Sequence, residues 1–184
     1  MTPQESLYES YEKIRGSTYE DILDTIFNKS PRDFEHLVVQ LLERMGYGGK
    51  VKDAGKVTQA SNDGGIDGII KEDVLGLGRI HIQAKRYHKD NTVGREEIQK
   101  FVGALAVAQS NKGVFITTSS YSKGAIEYAN SLNGNTTLVL IDGLQLAKYI
   151  YDYSLGMQTE QVIEIKKMDS DFWDRMQDSQ ETLK

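Results

Sequence analysis

The run Arg79-Ile80-His81-Ile82-Gln83-Ala84-Lys85 decides how this chain folds. Ile80, Ile82 and Ala84 alternate with Arg79, His81, Gln83 and Lys85, the period of two that sends successive side chains to opposite faces of a strand. Gln83 and Lys85 therefore share one face. Just upstream, Asn62-Asp63-Gly64-Gly65-Ile66-Asp67-Gly68-Ile69-Ile70 plants Asp67 in a second apolar run. The spacing predicts strands at roughly 50–58, 65–71 and 79–85, the last two joined by residues 71–78. That meander brings residue 67 onto the strand beside residues 83–85. A lysine held beside an apolar core is costly unless it is paired, so Asp67, Gln83 and Lys85 read as one polar constellation.

Outward from this core the signals alternate. Ser30-Pro31-Arg32-Asp33 gives a capping serine, a proline at the first helical position and an acid in the first turn. Phe34, Leu37, Val38, Leu41, Leu42 and Met45 then repeat at helical spacing until Gly46 and Gly48-Gly49. Glu35 sits at the edge of that apolar stripe. Downstream, helices are expected over 94–110, about 122–132 and 143–155, with buried strands at 114–117 and 137–141 and a last strand at Gln161–Lys167. Residues 5–27 read as a charged helix interrupted at Gly16-Ser17-Thr18, an extension or linker rather than core. A meander followed by alternating helix and strand predicts an α/β fold, a mixed central sheet flanked by helices on both faces.

Composition narrows the function. The chain of 184 residues is 39% apolar, enough for one domain with a real core, and has no cysteine, which excludes disulfides and thiolate metal sites. His36, His81 and His88 are too scattered for a structural zinc site. No apolar run approaches a membrane span, and the N-terminus lacks the pattern of a secretory signal, so a cytoplasmic protein is expected. The net charge of −5 argues against a generic polyanion binder. Lys85-Arg86-Tyr87-His88-Lys89 is nevertheless a local basic patch beside the constellation.

An acid, an amide carbonyl and an ammonium suit phosphodiester hydrolysis. Mg²⁺ prefers oxygen ligands and retains several waters. Asp67 is the first-choice ligand, with the Gln83 amide oxygen and the Ala84 backbone carbonyl as further ligands. Glu35 would bind through a water or help to hold a second ion. Mn²⁺ is expected to substitute for Mg²⁺. Lys85 would orient the attacking water or stabilise charge developing on phosphate. Because Gln83 is neutral, metal binding is expected to be weaker than with two carboxylates there, which makes Glu35 more important. Arg86, His88 and Lys89 are candidate phosphate contacts, as are the strand-end hydroxyls of Thr118 and Ser119. Such contacts position DNA without reading its sequence. Cutting both strands needs two sites, so at least a transient homodimer is expected.

Together these segments resemble the PD-(D/E)xK nuclease superfamily, and within it the Mrr-type restriction endonucleases, whose third motif takes a QxK form. The matching residues are Phe34-Glu35-His36-Leu37-Val38, then Gly64-Gly65-Ile66-Asp67-Gly68, then Gln83-Ala84-Lys85-Arg86-Tyr87. The runs Gly113–Ala129 and Leu138–Ala147 resemble the family's downstream elements. The resemblance spans roughly residues 28–173. It implies a restriction-endonuclease-like fold, Mg²⁺-dependent cleavage of DNA, and a preference for methylated DNA. It also implies a winged-helix recognition domain in full-length members, for which residues 1–28 are too short. Residues 1–28 are then a helical extension or linker and 29–184 the catalytic domain, from a fragment or a natural short form.

Plainer readings stand beside these. Gln-x-Lys on a strand is commonly a solvated face, and Asp67 between glycines serves equally as a turn residue. Asp63 reads as a loop acid, Glu35 as a solvated helix charge, His81 as structural, and Thr117–Ser119 as part of a helix cap. A DNA-binding or regulatory module with a silent nuclease site is one rival function. A junction-resolvase-like nuclease of the same superfamily is another.

Overall fold

Thr2 and Glu5 cap each other reciprocally at the start of α1 (Pro3–Phe27), and Ser30 accepts from the Asp33 amide at the start of α2 (Pro31–Arg44). The computed structural model of the chain describes residues 1–49, 51 and 67–179. α1 runs unbroken through Gly16-Ser17-Thr18, which corrects the interruption expected there. A glycine inside a helix costs only about 1 kcal/mol, and packing nearby offsets it. Tyr19, Ile22 and Ile26, spaced three and four residues apart, are buried in the main core. The second half of α1 is therefore core rather than linker, while Tyr8 and Ile14 in the first half are exposed. Arg15 fastens this helix in place by an ion pair of 2.7 Å to Asp152 and by lying over the Tyr151 ring.

The remaining elements are β1 (Gly68–Lys71), β2 (Arg79–Lys85), β3 (Thr92–Val93), α3 (Arg95–Val107), β4 (Lys112–Thr117), β5 (Ser120–Tyr121), α4 (Lys123–Ser131), β6 (Thr137–Ile141), α5 (Gly143–Asp152) and α6 (Ser170–Asp174). The main sheet has the order β1-β2-β4-β6. β1 runs antiparallel to β2, whereas β2, β4 and β6 are mutually parallel, so the sheet is mixed. β3 and β5 form a short parallel pair of their own.

Two cores follow from the alternation along the strands. Ile80, Ile82 and Ala84 join Ile70, Ile116 and Ile141 under α1, α2 and α5. Phe115 packs on the opposite face with Ile98, Phe101 and Leu105 of α3 and Ala125 of α4. Helices thus cover both faces of the sheet, as expected. At Gly143, a β-carbon would lie 2.3 Å from the Thr118 carbonyl oxygen. Only glycine lets the start of α5 press so closely on the end of β4.

Most of the expected strand at 50–58, and Asp63 with Gly64, Gly65 and Ile66, lie outside the described residues. Val51 donates to the Ile69 carbonyl and Lys71 to the Gly49 carbonyl, so residues 49 and 51 run alongside β1. The predicted strand at Gln161–Lys167 does not form. That segment is exposed throughout and pairs with no described strand. Its β-branched residues favour a strand, but a strand needs a partner to satisfy its backbone, and no described strand pairs with it. Among the described residues no helix is long and apolar enough to cross a membrane.

Candidate active site

β1 and β2 are registered so that Gly68 faces Ile82. The Asp67 amide continues the ladder by donating to the Ile82 carbonyl at 2.7 Å. One step further along the antiparallel register, Asp67 stands opposite Gln83. Opposed residues present their side chains to the same face, and Lys85, two residues on, shares it. Gln83 is in turn beside Phe115, and Lys85 beside Thr117, across β4. The three residues singled out by sequence therefore converge at one end of the sheet.

The carboxylate of Asp67 is held in place. Its Oδ2 accepts from the Ala84 backbone amide at 2.6 Å. Burial pushes its pKa above the ordinary carboxylate value, and the Ala84 amide and the positive charge of Lys85 offset only part of that shift. Gln83 is 2% exposed, and among the described residues its buried Oε1 has no hydrogen-bond partner. An unsatisfied buried carbonyl costs about 1–3 kcal/mol. An amide oxygen kept in that state, directly across from a carboxylate, is the feature of this site that packing alone does not explain.

The donors here suit a hard divalent cation. One carboxylate and one amide lie on the same face of neighbouring chain segments, with a lysine two residues further on. Among the described residues no three His, Asp or Glu side chains gather at one point. Cation binding would therefore lean on neutral oxygens, as the glutamine in the third motif suggests. Glu35 lies near the start of α2, just past its first turn, and is half-buried. Its helix packs on the face formed by Ile80, Ile82 and Ala84, opposite the one that carries Gln83 and Lys85. Glu35 can approach the constellation only around the end of the sheet.

The proposed phosphate contacts divide. Thr118 and Ser119, expected as phosphate contacts or a helix cap, are buried. The Thr118 hydroxyl donates to the Tyr87 carbonyl, and Ser119 shares a hydrogen bond of 3.1 Å with Thr117, whose hydroxyl lies 2.9 Å from the Lys85 carbonyl. These hydroxyls lock the end of β2 to β4 instead of facing solvent. The Arg86 guanidinium donates to the Phe27 carbonyl and lies 5.3 Å from that ring. A cation at the carboxyl end of α1 is favoured by the helix dipole, so Arg86 fastens α1 to the site strand. His88 packs edge-on against Phe27 and pairs with Asp90 at 3.1 Å, while Lys89 is exposed. Tyr87 hydrogen-bonds Glu97 of α3 and serves packing. The contribution of Phe27 escaped the sequence reading, because nothing local marks a helix-terminal phenylalanine as the platform for an arginine and a histidine 59 or more residues away.

His81 is 4% exposed on the same face as Gln83, and among the described residues its Nδ1 has no partner. Desolvation, with Arg79 adding to it, lowers its pKa below 6.5, so the folded protein holds the ring neutral. The unfolded chain binds a proton there more readily. Stability from this residue is therefore full above about pH 6.5 and is lost as pH falls through the lowered folded value. His81→Asn is expected to flatten that acid loss. Melting temperatures of both proteins between pH 7.5 and 5 check it, and parallel curves would remove His81 as the cause.

Comparison with known proteins places this geometry. The restriction endonuclease family defined by the Mrr catalytic domain matches residues 26–150. The chain is 37% identical over 173 residues to the type IV methyl-directed restriction enzyme EcoKMrr of Escherichia coli (strain K12), a match over 94% of this chain and 55% of that enzyme. It therefore spans about half the length of the curated relative. Among solved structures, the DNA modification-dependent restriction endonuclease AspBHI is similar with a TM-score of 0.57 at 18% identity, over 77% of this chain and 37% of that one. The MspJI restriction endonuclease, in complex with a 27-mer oligonucleotide, is similar with a TM-score of 0.52 at 23% identity, over 73% and 31%. At these identities the two structures speak to the fold, which is that of restriction endonucleases.

Proposed function

The chain belongs to the Mrr family of restriction endonucleases, and from that premise we propose that it is a divalent-metal-dependent DNA endonuclease domain that hydrolyses phosphodiester bonds. The observation that carries the reading is Asp67 opposed to Gln83, whose buried amide oxygen is unpartnered among the described residues, with Lys85 on the same face. Asp67, Gln83 and the Ala84 carbonyl would hold Mg²⁺, or Mn²⁺ in its place, with Glu35 reaching the ion through a water. A bound divalent ion supplies a lowered pKa for a coordinated water and polarises the phosphoryl oxygen. The protein does the rest. The Ala84 amide fixes the Asp67 carboxylate, and Lys85 orients the water or meets charge developing on the phosphate.

Residues 29–184 would form the catalytic domain, with the second half of α1 packed into its core and held there by Arg15 and by Arg86. Lys89 and His88 stand beside the site as phosphate contacts. Methylated DNA, a winged-helix recognition domain in the full-length protein, a cytoplasmic location and pairing of two copies on a duplex are parts of the same proposal. The test is nicking of supercoiled plasmid, methylated and unmethylated, with Mg²⁺, Mn²⁺ or EDTA. Cleavage with either ion and none in EDTA is expected.

A second reading has one observation in its favour, the absence of an acidic trio among the described residues. A chain that binds duplex DNA yet cleaves no substrate with either ion, methylated or not, would be a DNA-binding module with a silent site. Branched DNA cut in preference to linear duplex would indicate a junction resolvase instead.

Gln83 gives a quantitative check. Gln83→Glu is expected to tighten Mn²⁺ binding by about tenfold, roughly 1.4 kcal/mol. It should also lower the melting temperature of the metal-free protein, because a buried carboxylate without a partner is costly. Gln83→Leu should weaken Mn²⁺ binding without loss of stability, since it removes the unpaired carbonyl. Calorimetric titration with Mn²⁺ and thermal denaturation read both. Unchanged affinity in both variants would take Gln83 off the metal.

A further inference from the structure

After α5 the chain leaves the body of the protein as an arm. From residue 159 through α6 to residue 179 every described residue is exposed. The arm is not polar. Val162 is 78% exposed, Ile165 68% and Met168 71%, and Ile163, Phe172, Trp173 and Met176 are exposed with them. Its central stretch, Gln161-Val162-Ile163-Glu164-Ile165-Lys166-Lys167, is rich in β-branched residues and free of glycine and proline, the composition of a strand. Within its own chain it pairs with no described strand.

The body presents the complementary defect. β6 is the last strand of the main sheet, and among the described residues nothing pairs with its outer edge. The other edge strand, β1, is flanked by residues 49 and 51. β6 lacks two of the usual protections of an open edge. Its sequence Thr137-Leu138-Val139-Leu140-Ile141 holds no charge and no proline. Val139 on the strand is about half exposed, as are Ile126 on α4, a helix in contact with β6, and Leu144 at the start of α5, the helix that follows it.

We propose that the arm of one copy adds as a strand to the β6 edge of a second copy, so that two chains exchange arms across a two-fold axis. Strand addition satisfies the open backbone groups of β6, and alternate side chains of the arm cover these apolar side chains. The area agrees. Seven exposed apolar side chains present on the order of 600 Å² per arm. Two exchanged arms then reach about 1,200 Å², where specific interfaces begin. The proposal deepens the reading that two copies act on one duplex, but its test does not depend on cleavage.

Sedimentation of the full chain without DNA, over a wide concentration range, reads it directly. The wild type is expected at twice the chain mass. The double variant Val162→Asp/Ile165→Asp is expected at the chain mass, with a melting temperature that no longer rises with protein concentration. Val139→Lys, which charges the acceptor edge, is expected to dissociate the dimer as well. A wild type that stays monomeric overturns the proposal, as does a dimer that survives the arm variant. Dissociation by the arm variant but not by Val139→Lys overturns β6 as the acceptor. If wild-type plasmid nicking is absent while the dimer forms, the nuclease reading fails and this one stands.

Discussion

Replacing Asp67 by alanine is expected to lower the rate of plasmid nicking by about 1000-fold, since a ligand that positions a Lewis-acid ion contributes several kcal/mol to the barrier. Asp67→Asn is the more informative variant. Its amide oxygen can still accept from the Ala84 amide, as Oδ2 does in the wild type at 2.6 Å. Only the charge is removed. The pKa of Asp67 is raised in the folded protein, chiefly by burial. A carboxyl whose folded value lies above its unfolded value stabilises the fold while protonated, and that contribution is lost as pH rises through the folded value. At neutral pH the ionised side chain therefore costs stability. Asp67→Asn should melt higher than the wild type at pH 7.5 and match it near pH 3.5, while nicking stays close to the alanine level. A buried charge that weakens the fold and is needed for turnover is what a functional site predicts. If Asp67→Asn melts lower at pH 7.5, or nicks like the wild type, the role given to this carboxylate is wrong.

Much of this was legible because the deciding signals are local. Period two along Arg79–Lys85 fixes which residues share a face, and the capping serine, proline and apolar stripe from Ser30 to Met45 fix α2. Asp67 could be placed beside Gln83 because a short connection between two strands makes an antiparallel pair, and register follows from the connection. What stayed illegible depends on distant partners. Thr118 and Ser119 read as phosphate contacts or part of a helix cap, yet the carbonyl of Tyr87 and the hydroxyl of Thr117 engage them inside the fold. Arg86 read as a phosphate contact, yet the end of α1 takes its guanidinium. Gln161–Lys167 has the sequence of a strand, but a strand exists only where an edge receives it. Glu35 shows the same limit from the other side. Helical period places it at the rim of an apolar stripe, but which sheet face that stripe covers is a property of the whole fold.

Lys85→Ala is expected to reduce nicking by about 100- to 1000-fold, the usual loss when one donor aimed at developing charge is removed, while leaving Mn²⁺ affinity nearly unchanged. The separation follows from position. Asp67 and Gln83 face each other across β1 and β2, whereas Lys85 lies one pleat further along the same face, at the strand end held by Thr117. An ammonium there attracts the Asp67 carboxylate, so its loss should also raise the Asp67 pKa further and move the acid limb of the pH–rate profile upward. Lys85→Arg keeps the charge but replaces a compact ammonium by a broad planar fork. It should restore the acid limb toward its wild-type position without restoring the rate. Nicking rates from pH 5.5 to 8.5 and Mn²⁺ titrations of the three proteins decide between two roles. A lysine that merely balances charge would be replaced fully by arginine, and a lysine that touches the reacting phosphate or its water would not. Full activity in Lys85→Arg would reduce Lys85 to an electrostatic neighbour of Asp67 and leave the stabilisation of the phosphate to another residue.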